Sequence, residues 1–178
     1  LTPEILDDVT FWLEINTAKS SDKTYETPKK INRLFSRISG ILRTLKTNMT
    51  IGLCIDTAHL WALGTSFATY NVTKEWLEGL NKFPIMFHLN DSECEFGDGR
   101  DIHAPITKGN IWKNYTHKKG KSGKVIKSSK KLPIEKSGIA AIVDYAKKNH
   151  SIIILERGIH VPVTLEVEVL GALGLFDT

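Results

Sequence analysis

Four short apolar segments, each ending in a polar residue, constrain the fold of this chain more than any other feature of its sequence. They are residues 11–16, 51–56, 85–90 and 152–156. None shows the alternation of polar and apolar residues that marks a strand with one face in solvent. Such segments are typical of strands that are buried on both faces of a parallel sheet.

Helical patterns separate these four segments. The longest begins at Thr27, a predicted N-cap followed by Pro28, and carries apolar residues three and four apart as far as Leu45. Shorter helices are predicted over 73–80, 137–148 and 164–173. Strand and helix therefore alternate four times, which predicts an α/β fold with a parallel sheet. Two architectures fit: an open doubly wound sheet, or half of an eight-stranded (β/α)8 barrel.

A side chain that can bind a metal lies at or near the C-terminal end of every predicted strand. These side chains are Glu14, Asp56, His88 and Glu156. One strand-end carboxylate is more often a helix cap than a ligand, but four ligand-type residues in four strands favour a shared metal site. Because barrel enzymes build their active sites at the C-terminal ends of their strands, this position also favours the barrel.

Three further residues extend the candidate site. His59 follows Asp56 by three residues, where the strand is expected to give way to a loop. Asp101 and His103 form a D-x-H pair, and alternate residues of an extended segment point the same way, so the pair can hold one cation. Imidazole and carboxylate ligands suit zinc or manganese, and no thiolate is needed.

Charge is distributed unevenly along the chain. Residues 113–136 contain nine lysines and one acid, Glu135, although the net charge of all 178 residues is only +4. This Lys-rich segment is predicted to be a loop insertion that either contacts a polyanion such as nucleic acid or is simply solvated. The sequence has no apolar run of membrane-spanning length, and its two cysteines suit a reducing interior.

Three blocks of sequence carry a family resemblance. They read I-G-L-C-I-D-T-A-H over 51–59, F-H-L-N-D-S over 87–92 and D-I-H over 101–103, with Lys108 and Gly109 following. In this order they resemble the characteristic stretches of the endonuclease IV family, especially the versions found in large DNA viruses. The strand ends around Glu14 and Glu156 match weaker motifs of the same family.

The resemblance implies a xylose isomerase-like (β/α)8 barrel with three zinc ions, which cleaves double-stranded DNA 5′ to an abasic site in base excision repair. It implies no small-molecule cofactor, no membrane and an intracellular location, in the cytoplasm or nucleus. Glu14 would bridge two zinc ions, and Glu14 and Glu156 are the catalytic candidates. The ligands carried over by motif are Asp56, His88 and Glu156 for the second ion, and His59, Asp101 and His103 for the third.

The family takes two further histidines, for the first zinc ion, from the N-terminal half of its barrel. No residue ahead of Glu14 in this sequence can supply them. We therefore expect residues 1–178 to form one partial barrel domain that holds strands five to eight, with the Lys-rich loop insertion around 113–136. Such a fragment is expected to be inactive by itself.

Two other functions remain open from the sequence. Sugar isomerases and epimerases of the same barrel superfamily use one divalent metal held by a similar quartet of strand-end residues, but they do not need a pair like Asp101 and His103. A half barrel that has lost its metals would be an inactive DNA-binding fragment. Zinc content distinguishes these two functions from the nuclease.

Overall fold

The computed structural model describes residues 9–16, 25–116, 131–157 and 162–176. Its elements are β1 (Thr10–Glu14), α1 (Pro28–Leu45), β2 (Thr50–Asp56), α2 (Thr57–Leu63), α3 (Tyr70–Glu78), β3 (Ile85–His88), β4 (Asp91–Ser92), β5 (His103–Ala104), β6 (Tyr115–Thr116), β7 (Leu132–Pro133), a 3-10 turn (Ile134–Lys136), α4 (Gly138–Asn149), β8 (Ile152–Ile154) and α5 (Thr164–Ala172).

The four predicted strands form one parallel sheet in the order β1-β2-β3-β8, so strands that follow one another in this set are neighbours in space. The sheet confirms the predicted α/β class. The prediction that the strands are buried on both faces is right for β2 and β3, whose residues 52–56 and 85–87 are buried. It is wrong for the outer strands β1 and β8, which are mostly exposed at the two edges of the sheet, because a strand's faces are buried only where other parts of the chain pack against them.

The helices lie close to their predicted positions. Thr27 caps α1 as expected, since its side chain accepts a hydrogen bond from the backbone N–H of Lys30 and Pro28 opens the helix. The helix α3 begins three residues before its prediction, whereas α4 and α5 agree with theirs to within one residue. The start of α4 lies so close to the chain before α3 that a Cβ on Gly138 would collide with the carbonyl oxygen of Phe67.

The described ends of the Lys-rich segment are ordered. Tyr115 pairs with Leu132 in a short parallel ladder between β6 and β7, and the buried Ile134 follows in the 3-10 turn. The predicted insertion therefore leaves and rejoins the fold at adjacent points. Residues 117–130, which carry most of its lysines, lie outside the described residues.

The hydrophobic core fills the space between the sheet and the helices that cover it. Its largest fully buried side chains include Trp112, Phe67 and Phe87. Trp112 also donates an indole N–H to the carbonyl of Phe67, which fixes the loop after β5 against the helical layer. Among the described helices, none combines the length and apolar character that crossing a membrane requires.

Candidate metal centre

The parallel register brings the strand ends to one edge of the sheet. Asp56 pairs with His88, so β2 and β3 end level, whereas Glu14 pairs with Cys54, so β1 ends opposite a point two residues before the end of β2. Glu156 lies two residues beyond Ile154, which pairs with His88. The four strand-end side chains named from the sequence therefore lie at the same edge.

His59 does not lie in a loop, as the sequence suggested, but in the first turn of α2. Asp56 is the N-cap of this helix, and its Oδ1 accepts hydrogen bonds from the backbone N–H groups of Ala58 and His59 at 2.7 and 2.9 Å. The helix starts as soon as the strand ends, because a buried carboxylate caps it. His59 is thereby held over the same edge as Asp56.

One group of candidate ligands surrounds His88. Its Nδ1 lies 3.2 Å from Glu156 Oε1, 3.6 Å from Glu14 Oε1 and 4.0 Å from Asp56 Oδ2. Ligand atoms of Asp56, His88 and Glu156 all lie within 4.8 Å of one another. This is the trio that the family resemblance assigns to one zinc ion.

A second group surrounds Asp101, whose two carboxylate oxygens face two imidazoles. Its Oδ2 lies 3.1 Å from His59 Nε2 and its Oδ1 lies 2.9 Å from His103 Nε2. His59 Nδ1 lies 2.9 Å from the carbonyl oxygen of Ile15. Donation to that carbonyl would leave Nε2 as the ligand atom, in the arrangement common for metal-bound histidines.

The two groups adjoin at Asp56 and Glu14. Asp56 Oδ2 lies 3.7 Å from His103 Nε2, and Glu14 Oε1 lies 3.1 Å from His59 Nδ1. Asp56 is completely buried, whereas the side chains of Glu14 and Glu156 are both partly exposed. The site therefore has a buried floor and two carboxylates at its mouth.

A short antiparallel ribbon holds His103 in this arrangement. The two-residue strands β4 and β5 pair Ser92 with His103 and Asp91 with Ala104. Because β4 follows β3 directly, the ribbon folds the D-x-H segment back over the strand ends. Strands of two residues are too short to show a period, so this ribbon was not predicted.

Burial and charge shift the pKa values in the centre. Burial raises the pKa of Asp56 above its ordinary value. Burial lowers the pKa of His59, but the charge of Asp56 and the contacts with Ile15 and Asp101 outweigh this and raise it overall. Each shift follows from the packing of acids and imidazoles in a region shielded from water.

Cys54 also lies beside the candidate ligands, although no thiolate is expected from the sequence. Its sulfur lies within 4.8 Å of ligand atoms of Glu14 and His88. Burial, reinforced by the charge of Glu14, raises the pKa of the Cys54 thiol to about 12. Cys54 therefore lies beside the imidazole and carboxylate ligands as a buried thiol.

Polar residues that were not predicted from the sequence lie behind the ligands. Asn90 contacts both Asp56 and Glu156 through its side-chain amide, and Arg157 contacts Asn90 in turn. Arg157 forms a buried ion pair with Glu166 of α5, with 2.9 Å between Nε and Oε1. Asn90 belongs to the H-L-N-D block, but Arg157 and Glu166 are separated from it along the chain and have no local signal.

The residues fit divalent metal ions. Zinc lies about 2.0–2.2 Å from nitrogen and oxygen ligands, which puts ligand atoms of one ion roughly 3–4 Å apart, as they are here. The Nδ1 atom of His88 and the Nε2 atom of His103 are buried without a hydrogen-bond partner. Buried polar atoms are rarely left unsatisfied, and a cation between these nitrogens and the carboxylates would satisfy both.

Comparison with known proteins shows that the chain is similar to proteins named as probable AP endonucleases and probable endonuclease 4. The chain is 36% identical over 161 residues to the "Probable AP endonuclease" of African swine fever virus (isolate Warthog/Namibia/Wart80/1980), a match that covers 86% of this chain and 48% of that protein. It is 43% identical over 63 residues to the "Probable endonuclease 4" of Mycoplasmopsis pulmonis (strain UAB CTIP), covering 34% of this chain and 23% of that protein. No protein-family profile matches the chain.

A solved structure, "The crystal structure of AsfvAP:AG", superposes on the chain with a TM-score of 0.68 and 32% sequence identity. The superposition covers 97% of this chain and 56% of that one. The chain thus spans about half the length of the viral relatives that it matches.

Proposed function

We propose that this chain, a relative of the AP endonucleases and of endonuclease 4, forms the C-terminal half of a zinc-dependent AP endonuclease. The complete enzyme would hydrolyse the DNA phosphodiester 5′ to an abasic site, in base excision repair inside the cell. The observation that carries this proposal is the second ligand group, Asp101 with His59 and His103, because a one-metal sugar isomerase does not need it.

The ligand geometry supports a division of roles among the residues. Asp56, His88 and Glu156 would hold one ion, with Glu14 shared between that ion and a further one, and His59, Asp101 and His103 would hold another. Bound divalent cations would neutralise phosphate oxygens and lower the pKa of an attacking water. Glu14 and Glu156 are proposed as the catalytic residues, because their partly exposed carboxylates lie at the mouth, where they would hold the cations that face a substrate phosphate.

The sheet supports the half-barrel proposal. Strand order follows chain order across β1, β2, β3 and β8, as it does in a (β/α)8 barrel. The two outer strands expose apolar side chains, and the viral relatives are about twice as long as the matched segment. We therefore propose that the four strands correspond to strands five to eight of a xylose isomerase-like barrel.

Metal analysis of a variant tests this function. The parent chain should retain about two zinc ions, and the complete enzyme about three. His103→Ala should remove one ion, because it strips a ligand and leaves Asp101 Oδ1 without its imidazole partner. Cleavage of a duplex with a synthetic abasic site, assayed with the chain combined with the N-terminal half of a relative, should fall more than about 100-fold.

The control is His150→Asn, which changes an exposed histidine that caps α4 in a left-handed conformation that asparagine tolerates. This variant should retain parental zinc and parental cleavage. Normal cleavage by His103→Ala would contradict the assignment of the second ligand group. One exchangeable manganese ion in place of several zinc ions would instead favour the isomerase.

A further inference from the structure

The side-chain amide of Asn90 connects two carboxylates of the metal centre, those of Asp56 and Glu156. Its Nδ2 donates to Asp56 Oδ2 at 2.6 Å and to Glu156 Oε2 at 3.1 Å. Asp56 Oδ2 is also the oxygen of that carboxylate that faces the unpartnered nitrogens of His88 and His103. One amide group therefore sets the direction of two candidate ligands that come from different strands.

The contacts of Asn90 fix which end of the amide faces the carboxylates. Its Oδ1 accepts from Arg157 Nη1 at 2.9 Å and from the backbone N–H of Glu156 at 3.2 Å. A guanidinium and a backbone N–H only donate, whereas ionised carboxylates only accept. The reverse orientation would set donors against donors and acceptors against acceptors, so the network admits one orientation only.

Arg157 is itself held in place. Its Nε donates to Glu166 Oε1 at 2.9 Å, and the same oxygen accepts the backbone N–H of Ile106. Glu166 is completely buried on α5. The buried ion pair thus fixes an arginine behind Asn90, and it links α5 and the loop after β5 to the metal centre.

We propose that Asn90 is a positioning residue that holds Asp56 and Glu156 in the geometry for metal binding, and that the Arg157–Glu166 pair sets the orientation of its amide. This inference rests on the proposed function, because it presumes that Asp56 and Glu156 bind a metal. Hydrogen bonds to ligating carboxylates orient them, and removal of such a bond typically weakens metal binding about 10-fold to 100-fold.

A purely structural role would give a different result. The backbone of Asn90 is tied to Thr57 by two hydrogen bonds, which a change of side chain leaves in place. If the side chain only filled space, its replacement by an apolar residue of similar size would alter stability and leave metal binding unchanged. The two roles therefore separate in a metal titration.

The test is titration of the chain with cobalt(II), whose visible absorption reports coordination geometry. Asn90→Leu should weaken cobalt binding about 10-fold to 100-fold and alter the absorption spectrum. The matched control is Asn32→Leu, because the Asn32 amide also uses both ends, donating to the carbonyl of Gly79 and accepting from the N–H of Asn81. Asn32→Leu should keep the parental affinity and spectrum.

A second variant decides the question if Asn90→Leu does not fold. The double substitution Arg157→Gln with Glu166→Gln keeps the amide of Asn90 but replaces the ion pair by neutral partners. It should also weaken cobalt binding and change the spectrum, because the Asn90 amide is no longer held in one orientation. Parental cobalt binding by a folded Asn90→Leu, or by the double variant, would overturn the proposal.

The same titration distinguishes failure of this inference from failure of the proposed function. If the parent chain binds no cobalt, the assignment of a metal centre is wrong, and the positioning role of Asn90 is wrong as well. If the parent binds cobalt and the variants bind it equally well, only the role of Asn90 is wrong.

Discussion

At the scale of single residues, Asp91 organises the loop beside the metal centre. Its carboxylate accepts hydrogen bonds from the backbone N–H groups of Ser92, Gly109 and Ile111. Gly109 approaches so closely that a Cβ there would come within 2.5 Å of Asp91 Oδ1. Asp91 therefore anchors the Lys108-Gly109 stretch beside β4. Position 109 requires glycine because there is no room for a Cβ atom there.

Asp91 gives a prediction for the pH dependence of stability. Burial, opposed by the backbone hydrogen bonds, raises its pKa from 3.8 to about 6. An acid whose folded pKa is raised binds its proton more tightly in the folded state. The stabilisation of the folded state by protonated Asp91 is fully present below pH about 4 and is lost as the pH rises through about 6. The expected decrease in the free energy of unfolding is about 3 kcal/mol.

Urea unfolding between pH 4 and 7, with a chelator present and at one chain concentration, measures this contribution. Asp91→Asn should show a smaller decline than the parent, since the amide does not titrate while the raised pKa of Asp56 still contributes, and any weakening of hydrogen bonds at position 91 shifts the whole curve equally. Asp144→Asn, at an exposed aspartate, should keep the parental decline. Equal slopes in the parent and Asp91→Asn would show that Asp91 is ionised throughout this range.

At the scale of elements, the Lys-rich segment enters and leaves the fold at neighbouring points through β6 and β7. We predict that its lysines contact DNA phosphates. Changing Lys118, Lys119, Lys121 and Lys124 to Gln should weaken DNA binding and lower its salt dependence by about one unit of slope for each phosphate that is no longer neutralised. Turnover at saturating DNA should barely change, because these lysines do not belong to the metal centre.

The measurement is the affinity for an abasic duplex over a series of salt concentrations, with the chain combined with the N-terminal half of a relative. Four exposed lysines elsewhere make a control of equal charge: Lys29, Lys74, Lys82 and Lys148. Their replacement by Gln should leave the slope nearly unchanged. An unaltered slope for the first set would mean that the segment is solvated and does not touch the phosphates.

How far the sequence predicts these elements depends on the range of the interactions. The strands and the cap of α1 are local properties of pattern and residue type, so they are predictable. The seven-residue helix α2 is too short to show a period, and its capping residue Asp56 has the sequence context of a ligand, which places His59 in a loop. The contacts of Asn90 with Arg157 span 67 positions and leave no pattern in the sequence.

At the scale of the whole molecule, the sheet ends in two unprotected edges among the described strands. Phe11 and Leu13 of β1 are 43% and 39% exposed, and Ile152 and Ile154 of β8 are 53% and 39% exposed. The sequence predicts these strands correctly but not their exposure, since burial of both faces depends on what packs above and below the sheet, which the pattern of one segment does not show. Exposed apolar edges of this kind pair with other chains.

We therefore predict that residues 1–178 alone form oligomers or aggregates and do not cleave abasic DNA. The two edges of the sheet lack partner strands among the described strands. In addition, no residue ahead of Glu14 in the sequence can supply the two histidines that would complete the further ion bound by Glu14. Sedimentation velocity should show species larger than a monomer. Addition of the N-terminal half of a relative should give a 1:1 complex that is soluble and active.

Lysine substitutions identify the surface responsible for this association. Phe11→Lys with Ile152→Lys should shift the chain toward monomer, because an edge strand that carries a charge resists pairing. Ile41→Lys with Leu45→Lys is the control, since these α1 residues are 59% and 67% exposed but lie on a helix, whose backbone groups are already paired. If exposed apolar area alone drove association, the α1 pair would act at least as strongly as the edge pair. A monodisperse, active monomer made only of residues 1–178 would refute the half-barrel itself, because four strands would then suffice for both the fold and the chemistry.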